Sequence, residues 1–287
     1  MTTALHHTTI ATNGVNLHVV QAGPDDGPLV ILLHGFPEFW YGWRAQIDYL
    51  AAKGFRVWAP DQRGYNLSDK PPDIAAYNQP VIADDVAGLI AASGRDKVLL
   101  VGHDWGASVA WWTAMKYPDK LDKLVIMNVP HPIVIARTIG KDLGQTLKSW
   151  YIFFFQIPWL PEMLSRVGNW NGLVRSLQRA MKPGTFTEAD WAAYRKAWSQ
   201  PGAFTAMVNW YRAAAKLRPK LPPDRIVHVP TRIIWGAKDI ALIRAAAQMS
   251  MEFVADGDLI YIEEAGHFVQ HEAPDQVNQL IEEFLRK

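Results

Sequence analysis

The chain has 287 residues, a net charge of +1 at pH 7 and no cysteine. Hydrophobic residues make up 49% and charged residues 20%, which excludes a disordered chain and suits one large α/β domain with an insertion, or two small ones. With no Lys/Arg cluster among aromatics, nucleic acid is excluded as a partner, and without cysteine so are disulfides, thiol catalysis and thiolate metal sites.

Met1 to Thr12 lacks a basic start and an apolar stretch, so it is not expected to be a signal peptide. The longest apolar run, near Trp150 to Leu160, is interrupted by Gln156 and Pro158 and is too short to span a bilayer. A cytoplasmic protein with no membrane partner is expected. Composition is compatible with a monomer or a homodimer.

In chain order, Val15 to Val20 alternates like an edge strand after an Asn13-Gly14 turn. Leu29 to Leu33 is a continuous apolar run, the pattern of a strand covered on both faces, and ends in His34-Gly35-Phe36-Pro37. Glu38 to Ala52 has helical spacing and stops before Gly54. Phe55 to Ala59 predicts a strand, followed by Asp61-Gln62-Arg63-Gly64. Gln79 to Ser93 predicts a helix closed by Gly94. Lys97 to Val101 predicts a buried strand, Ala107 to Met115 a helix, and Leu124 to Val129 a strand ending in Pro130-His131-Pro132.

Alternation then stops. From Pro132 to Leu221 the pattern is helical, dense in aromatics and free of a convincing strand. It resumes with strands at Thr231 to Trp235 and Leu259 to Ile262 and a helix from Pro274 to Arg286. Strand–helix alternation predicts a parallel sheet with helices on both faces and reactive groups at the carboxyl ends of its strands. The segments are core 1–131, helical insertion 132–221 and core 222–287.

Between the strand at Lys97 and the helix at Ala107 stands Gly102-His103-Asp104-Trp105-Gly106. This G-x-D-x-G spacing is that of a nucleophile elbow, with Asp104 where serine is usual. Asp is also a good helix N-cap, so the motif alone does not decide. Asp239 lies just past one predicted strand and His267 just past the next. A single loop acid or histidine is ordinarily a surface residue. Three at strand ends, in the order nucleophile, acid, histidine, match the α/β-hydrolase triad. The N–H groups of Phe36 and Trp105 would form the oxyanion hole. His34 and His103 are expected to be buried structural residues, and Asp61 and Arg63 a loop-bracing pair.

A carboxylate nucleophile suits displacement at saturated carbon. The resulting alkyl ester is hydrolysed by water activated by His267, with Asp239 orienting the imidazole. Epoxides and alkyl halides both fit, and proton donors facing Asp104 would distinguish them. The insertion offers Tyr151 and Tyr211, with Tyr194 as a third tyrosine; each has the alternative of an amphipathic core aromatic. No ligand spacing such as H-E-x-x-H occurs, so neither a metal nor an organic cofactor is implied.

Taken together, His34-Gly35-Phe36-Pro37, Asp61-x-Arg63-Gly64-Tyr65-x-x-Ser68, Gly102-His103-Asp104-Trp105-Gly106-Ala107, Asn128-Val129-Pro130-His131-Pro132, Trp235-Gly236-x-x-Asp239 and Gly266-His267 resemble the α/β-hydrolase-fold epoxide hydrolases over nearly the whole chain. The resemblance implies a mostly parallel sheet with a helical cap inserted after the sixth strand. It also implies two cap tyrosines that hold the epoxide oxygen. One precedes a Gln by five residues, which lands on Tyr151. The other lies in an Asn-Trp-Tyr-Arg motif, which lands on Tyr211; Tyr194 matches neither. Phe154 stands where the family carries a more polar aromatic. Trp150, Phe154, Phe155, Trp159 and Phe268, with Phe153, are candidate pocket walls.

The partners implied are a small hydrophobic epoxide, bulky or aryl in so aromatic a pocket, and water. Haloalkane dehalogenases share Asp-Trp at the elbow but often carry a halide-binding Asn where Phe36 stands, and fluoroacetate dehalogenases carry Arg where Trp105 stands. A non-catalytic ligand-binding relative would have lost a triad member, and none is missing.

Overall fold

The computed structural model describes residues 3–139 and 141–287. Met1, Thr2 and Gly140, which the expected segments include, lie outside the described residues. Eight strands, β1 (His6–Thr12), β2 (Val15–Ala22), β3 (Leu29–Leu33), β4 (Arg56–Pro60), β5 (Val98–His103), β6 (Leu121–Met127), β7 (Thr231–Gly236) and β8 (Gly257–Ile262), form one sheet in the order β1-β2-β4-β3-β5-β6-β7-β8. The pairs β1–β2 and β2–β4 are antiparallel and all others parallel.

Alternate residues of β3 feed different cores. Leu29, Ile31 and Leu33 face one and Val30 and Leu32 the other, the period-two pattern of a strand covered on both sides. The first core takes α2 (Gln79–Ala92) and α3 (Trp105–Lys116); the second takes α1 (Arg44–Ala52) and α13 (Pro274–Arg286). Each fully buried Leu, Ile or Val side chain contributes roughly 1.5–3 kcal/mol of transfer free energy.

Apolar alternation in the sequence does not mark β1. Its residues, His-His-Thr-Thr-Ile-Ala-Thr, carry almost no apolar signal, and only pairing with β2 defines the strand. It occupies the sheet edge, so β2 is an inner strand rather than the edge strand expected. Asn13 and Gly14 join the two with positive φ at both residues, as a two-residue hairpin turn requires. With β1 counted, the helical insertion follows the sixth strand.

The stretch expected as one helix from Glu38 is a 3-10 turn at Trp40–Trp43 and then α1. Asp61 and Arg63 do not brace each other. Asp61 accepts hydrogen bonds from His18, Asn66 and the Trp40 N–H, whereas Arg63 pairs with Asp85 and donates to the Asn13 carbonyl.

Between β6 and β7 lie α4 (Pro132–Thr138), α5 (Leu143–Lys148), α6 (Trp150–Phe154), α7 (Leu160–Arg166), α8 (Asn171–Ala180), α9 (Glu188–Trp198) and α10 (Ala203–Leu217), with no strand among the described residues. Buried indole N–H groups tie this layer to the core loops: Trp198 donates to the Pro37 carbonyl at 2.6 Å and Trp210 to the Arg63 carbonyl at 3.0 Å. Next, α11 (Ala245–Ser250) follows β7, and α12 (Val269–Glu272) follows β8. No described helix is long and apolar enough to cross a membrane.

The parallel register aligns the carboxyl ends of β3, β5, β6, β7 and β8. Leu33 lies beside Gly102, His103 beside Met127, Met127 beside Ile234, and Gly236 beside Ile262. Phe36, Asp104, Asn128, Asp239 and His267, each shortly beyond such an end, are thereby gathered on one edge. β4 lies on one side of β3 and β5 on the other, so the winding reverses between β3 and β5, where open α/β sheets leave a crevice.

Candidate active site

Asp104 closes β5 with φ +49° and ψ −124°, a conformation that costs a non-glycine residue on the order of 1–3 kcal/mol. Its surroundings admit no side chains. A Cβ on Gly106 would stand 2.0 Å from the Leu33 carbonyl oxygen, one on Gly102 2.5 Å from the Gly106 oxygen, and one on Gly35 2.4 Å from the Asp104 Cβ. Glycine is required at all three positions for the turn to present the carboxylate. The Phe36 N–H donates to Asp104 Oδ1 at 2.7 Å. Trp105 is the first residue of α3, where a backbone N–H has no acceptor within the helix.

His267 Nε2 lies 3.4 Å from the other oxygen, Asp104 Oδ2. Its Nδ1 donates to Asp239 Oδ2 at 2.8 Å. Burial alone would disfavour the imidazolium, but the carboxylates of Asp239 and Asp104 outweigh it and hold the pKa of His267 well above its usual value. Burial likewise opposes the Asp239 carboxylate, yet His267, Asn128 and the Leu242 N–H keep its pKa below normal. Asp239 Oδ1 accepts the N–H groups of Ala241 and Leu242, and its Oδ2 accepts Asn128 Nδ2 as well as His267.

The two tyrosines lie near Asp104. The Tyr211 ring meets Trp105 edge-on at 4.9 Å, Phe36 at 5.1 Å and Tyr151 at 5.9 Å between centroids. Burial first, then the nearby Asp104 charge, raises the pKa of both phenols, so they persist as O–H donors at neutral pH. Gln156 and Arg212 join the segments that carry them. Gln156 Nε2 donates to the Tyr211 carbonyl, and Arg212 donates to the carbonyls of Phe155 and Ile157 and pairs with Glu162. The third tyrosine, Tyr194, is buried with its hydroxyl on Glu38 Oε1.

Residues 28–274 match the alpha/beta hydrolase fold family, and a 40% identical relative named epoxide hydrolase 1, from Caenorhabditis elegans, is matched over 95% of this chain and 68% of its own length. The chain belongs to the epoxide hydrolases of the α/β-hydrolase family. A second relative, an AB hydrolase superfamily protein YfhM from Bacillus subtilis, is 47% identical over 96% of both chains. Among solved structures, a Bacillus megaterium epoxide hydrolase variant complexed with its product, (R)-3-[1]naphthyloxy-propane-1,2-diol, is 34% identical with a TM-score of 0.89, covering 98% of this chain and 100% of that one.

Within this family member, Asp104, Asp239, His267, Tyr151, Tyr211, Phe36 and Trp105 lie in one neighbourhood. Of the expected walls, Phe155 is buried against Phe36 and Tyr211. Phe154 is half-buried beside Phe155, and Phe268 stands edge-on to His267 at 5.1 Å. Trp150 and Trp159 are corrections: they are 63% and 68% exposed. Helix α6 is a little over one turn long, so pointing Tyr151 inward turns Trp150 and Phe153 toward solvent. Trp159 precedes α7 with φ +54°.

His34 and His103 are buried, as expected. His34 donates to the Gly35 carbonyl and accepts the Gln62 N–H. His103 Nε2 donates to the His267 carbonyl at 2.8 Å, and its Nδ1 faces Glu38. Residue type and spacing alone point to no role for Asn128, Glu38 or Gln145. Asn128 and Glu38 stood inside or beside quoted motifs, but a polar residue after a strand does not announce its distant partner.

Proposed function

We propose that this protein hydrolyses epoxides to vicinal diols through a covalent ester on Asp104. One observation carries the proposal: a carboxylate on the elbow with two tyrosines beside it, Tyr211 packed on Phe36, Trp105 and Tyr151. Oδ1 is engaged by the Phe36 N–H, which leaves Oδ2 as the nucleophile. Oδ2 attacks an epoxide carbon, the ring C–O bond breaks, and the alkoxide takes a proton from Tyr151 or Tyr211. General acid assistance of this kind is worth on the order of 10²- to 10⁴-fold. The tyrosinate is reprotonated by the proton that His267 gives up once Asp104 is esterified.

Alkylation also readies the second step. The Asp104 charge helps hold the proton on His267; once esterified, Asp104 is neutral and that support is lost. His267 becomes the base that deprotonates water for attack on the Asp104 carbonyl carbon. Negative charge then develops on Oδ1, where the N–H groups of Phe36 and Trp105 serve as the oxyanion hole. Collapse releases the diol, its leaving oxygen taking the proton from His267, and the carboxyl proton left on Asp104 passes to His267 to restore the carboxylate and the imidazolium. Asp239 orients the imidazole throughout.

Residues 132–221 act as the cap that brings the phenols over the nucleophile. Phe36, Trp105, Phe155 and the two tyrosines make an apolar aromatic lining, which favours bulky and aryl epoxides. The naphthyl-bearing diol of the Bacillus megaterium enzyme belongs to that class.

A dehalogenase would share Asp104 and could use the Trp105 indole for halide. It has no use for two phenols beside the nucleophile, and Phe36 offers no side-chain donor. The test is a paired assay in which racemic styrene oxide is read as diol, and 1-bromobutane and fluoroacetate as released halide. Diol without halide supports the proposal; halide without diol replaces it with dehalogenation.

A further inference from the structure

Helix α5 turns its leucines outward and its glutamine inward. Leu143 and Leu147 are 75% and 67% exposed, whereas Gln145 between them is wholly buried. A helix resting on a core ordinarily does the reverse. What Gln145 gains is a grip on the main chain of the loop that carries Asp239. Its Oε1 accepts the Ile243 N–H at 3.0 Å, and its Nε2 donates to the Ala241 carbonyl at 2.9 Å and to Ser149 Oγ at 3.0 Å. Lys148 adds a bond from Nζ to the Asp239 carbonyl at 2.8 Å.

The same loop is folded around the Asp239 carboxylate, which accepts the Ala241 and Leu242 N–H groups. Directly beyond Lys148, Ser149 leads into α6 and Tyr151. One short helix therefore holds the acid loop by hydrogen bonds and the Tyr151 helix by covalent continuity. We propose that Gln145 is a positioning residue whose grip on residues 241 and 243 sets where the Tyr151 hydroxyl stands relative to Asp104 and His267. Tyr151 is taken here in the proton-donating role proposed above.

The choice of an amide has a physical reason. Apolar contact is non-directional and tolerates sliding. A buried amide engaged through both of its polar groups does not, because a small displacement leaves several buried donors and acceptors unpaired at once. Leu143 and Leu147, facing solvent, supply no competing anchorage.

Single-turnover kinetics with styrene oxide separate ester formation from ester hydrolysis. Gln145→Met keeps the side-chain length and removes all three of its side-chain bonds; ester formation is expected to slow at least about tenfold, well within the reach of a proton donor, with ester hydrolysis changed less than about threefold. In a Tyr151→Phe background the same substitution is expected to add less than about threefold, because no hydroxyl remains to position.

Lys148→Met weakens the same grip without emptying a buried site and serves if Gln145→Met does not fold; a smaller slowing of ester formation, again absent beside Tyr151→Phe, is expected. Unchanged ester formation, or effects that multiply fully in the double variants, overturns the proposal. A Tyr151→Phe enzyme that forms ester at the parent rate overturns the role of Tyr151 instead, a distinguishable result.

Discussion

Asn128 Nδ2 donates to Asp239 Oδ2 at 2.7 Å, the same oxygen that accepts the His267 Nδ1–H at 2.8 Å. The amide is held by its other end, where Oδ1 accepts the Gly236 N–H at 2.9 Å, and its backbone sits at φ +50°, which Asn tolerates better than most residues. Asn128 thus helps keep Asp239 ionised while the carboxylate orients His267. Asn128→Gly retains the backbone and removes the donor. The Asp239 pKa should rise, so the acidic limb of the pH profile for ester hydrolysis should move to higher pH. A lowered Tm with an unmoved limb would make Asn128 merely structural.

Asp104 raises the pKa of His267 in the free enzyme. Asp104→Asn removes a negative charge beside the imidazolium, so the His267 pKa should fall, though Asp239 keeps part of the elevation. NMR titration of the His267 ring protons in both forms measures this. An equal or higher pKa in the variant would contradict the electrostatic handover between the two steps.

His267→Gln should still allow Asp104 to open the epoxide while leaving no base for water. Intact-protein mass spectrometry after incubation with styrene oxide should show an added mass of one substrate, released only slowly. Asp104→Ala should show no adduct and no turnover. No adduct on a folded His267→Gln protein, with a substrate the parent consumes, argues against the two-step route.

Tyr151→Phe and Tyr211→Phe should each lower the rate of ester formation, and the double variant should lose on the order of 10²-fold or more. Their rings remain to pack against Phe155, Phe36 and Trp105, so Tm should change little. A double variant with near-parent kcat/KM would remove the phenols from the mechanism.

Gly106→Ala would put a Cβ 2.0 Å from the Leu33 carbonyl oxygen. Neither group has room to retreat, because Leu33 ends β3 and Gly106 lies in the first turn of α3, both buried main chain. Denaturant unfolding should show a loss of about 1–3 kcal/mol or more, as for other overpacked sites, together with lost activity. Full activity and stability would mean that the elbow is wider than its geometry indicates.

The amino-acid sequence alone determined the inner parallel strands and the positions of the reactive side chains along them. Runs such as Leu29–Leu33 and Val98–Val101 are apolar at every position because both faces of those strands are covered. A sharp strand-to-helix turn needs small residues at fixed spacing, so Gly102 and Gly106 mark Asp104 before any fold is known. Asp239 and His267 are legible for the related reason that carboxyl ends of parallel strands share an edge.

Only the tertiary structure decided which faces the short elements present and which polar groups meet. β1 is a strand because β2 pairs with it, not because His6–Thr12 has a pattern. Asp61 finds His18 and Arg63 finds Asp85, although the two stand two residues apart in sequence. On helices of one or two turns, periodicity cannot choose a face, so Trp150 and Leu143 point to solvent while Tyr151 and Gln145 point in. The choice is made by hydrogen-bonding groups roughly a hundred residues away, at Ala241 and Ile243 for Gln145. Such bonds depend on distance and angle in space, which chain order does not encode locally.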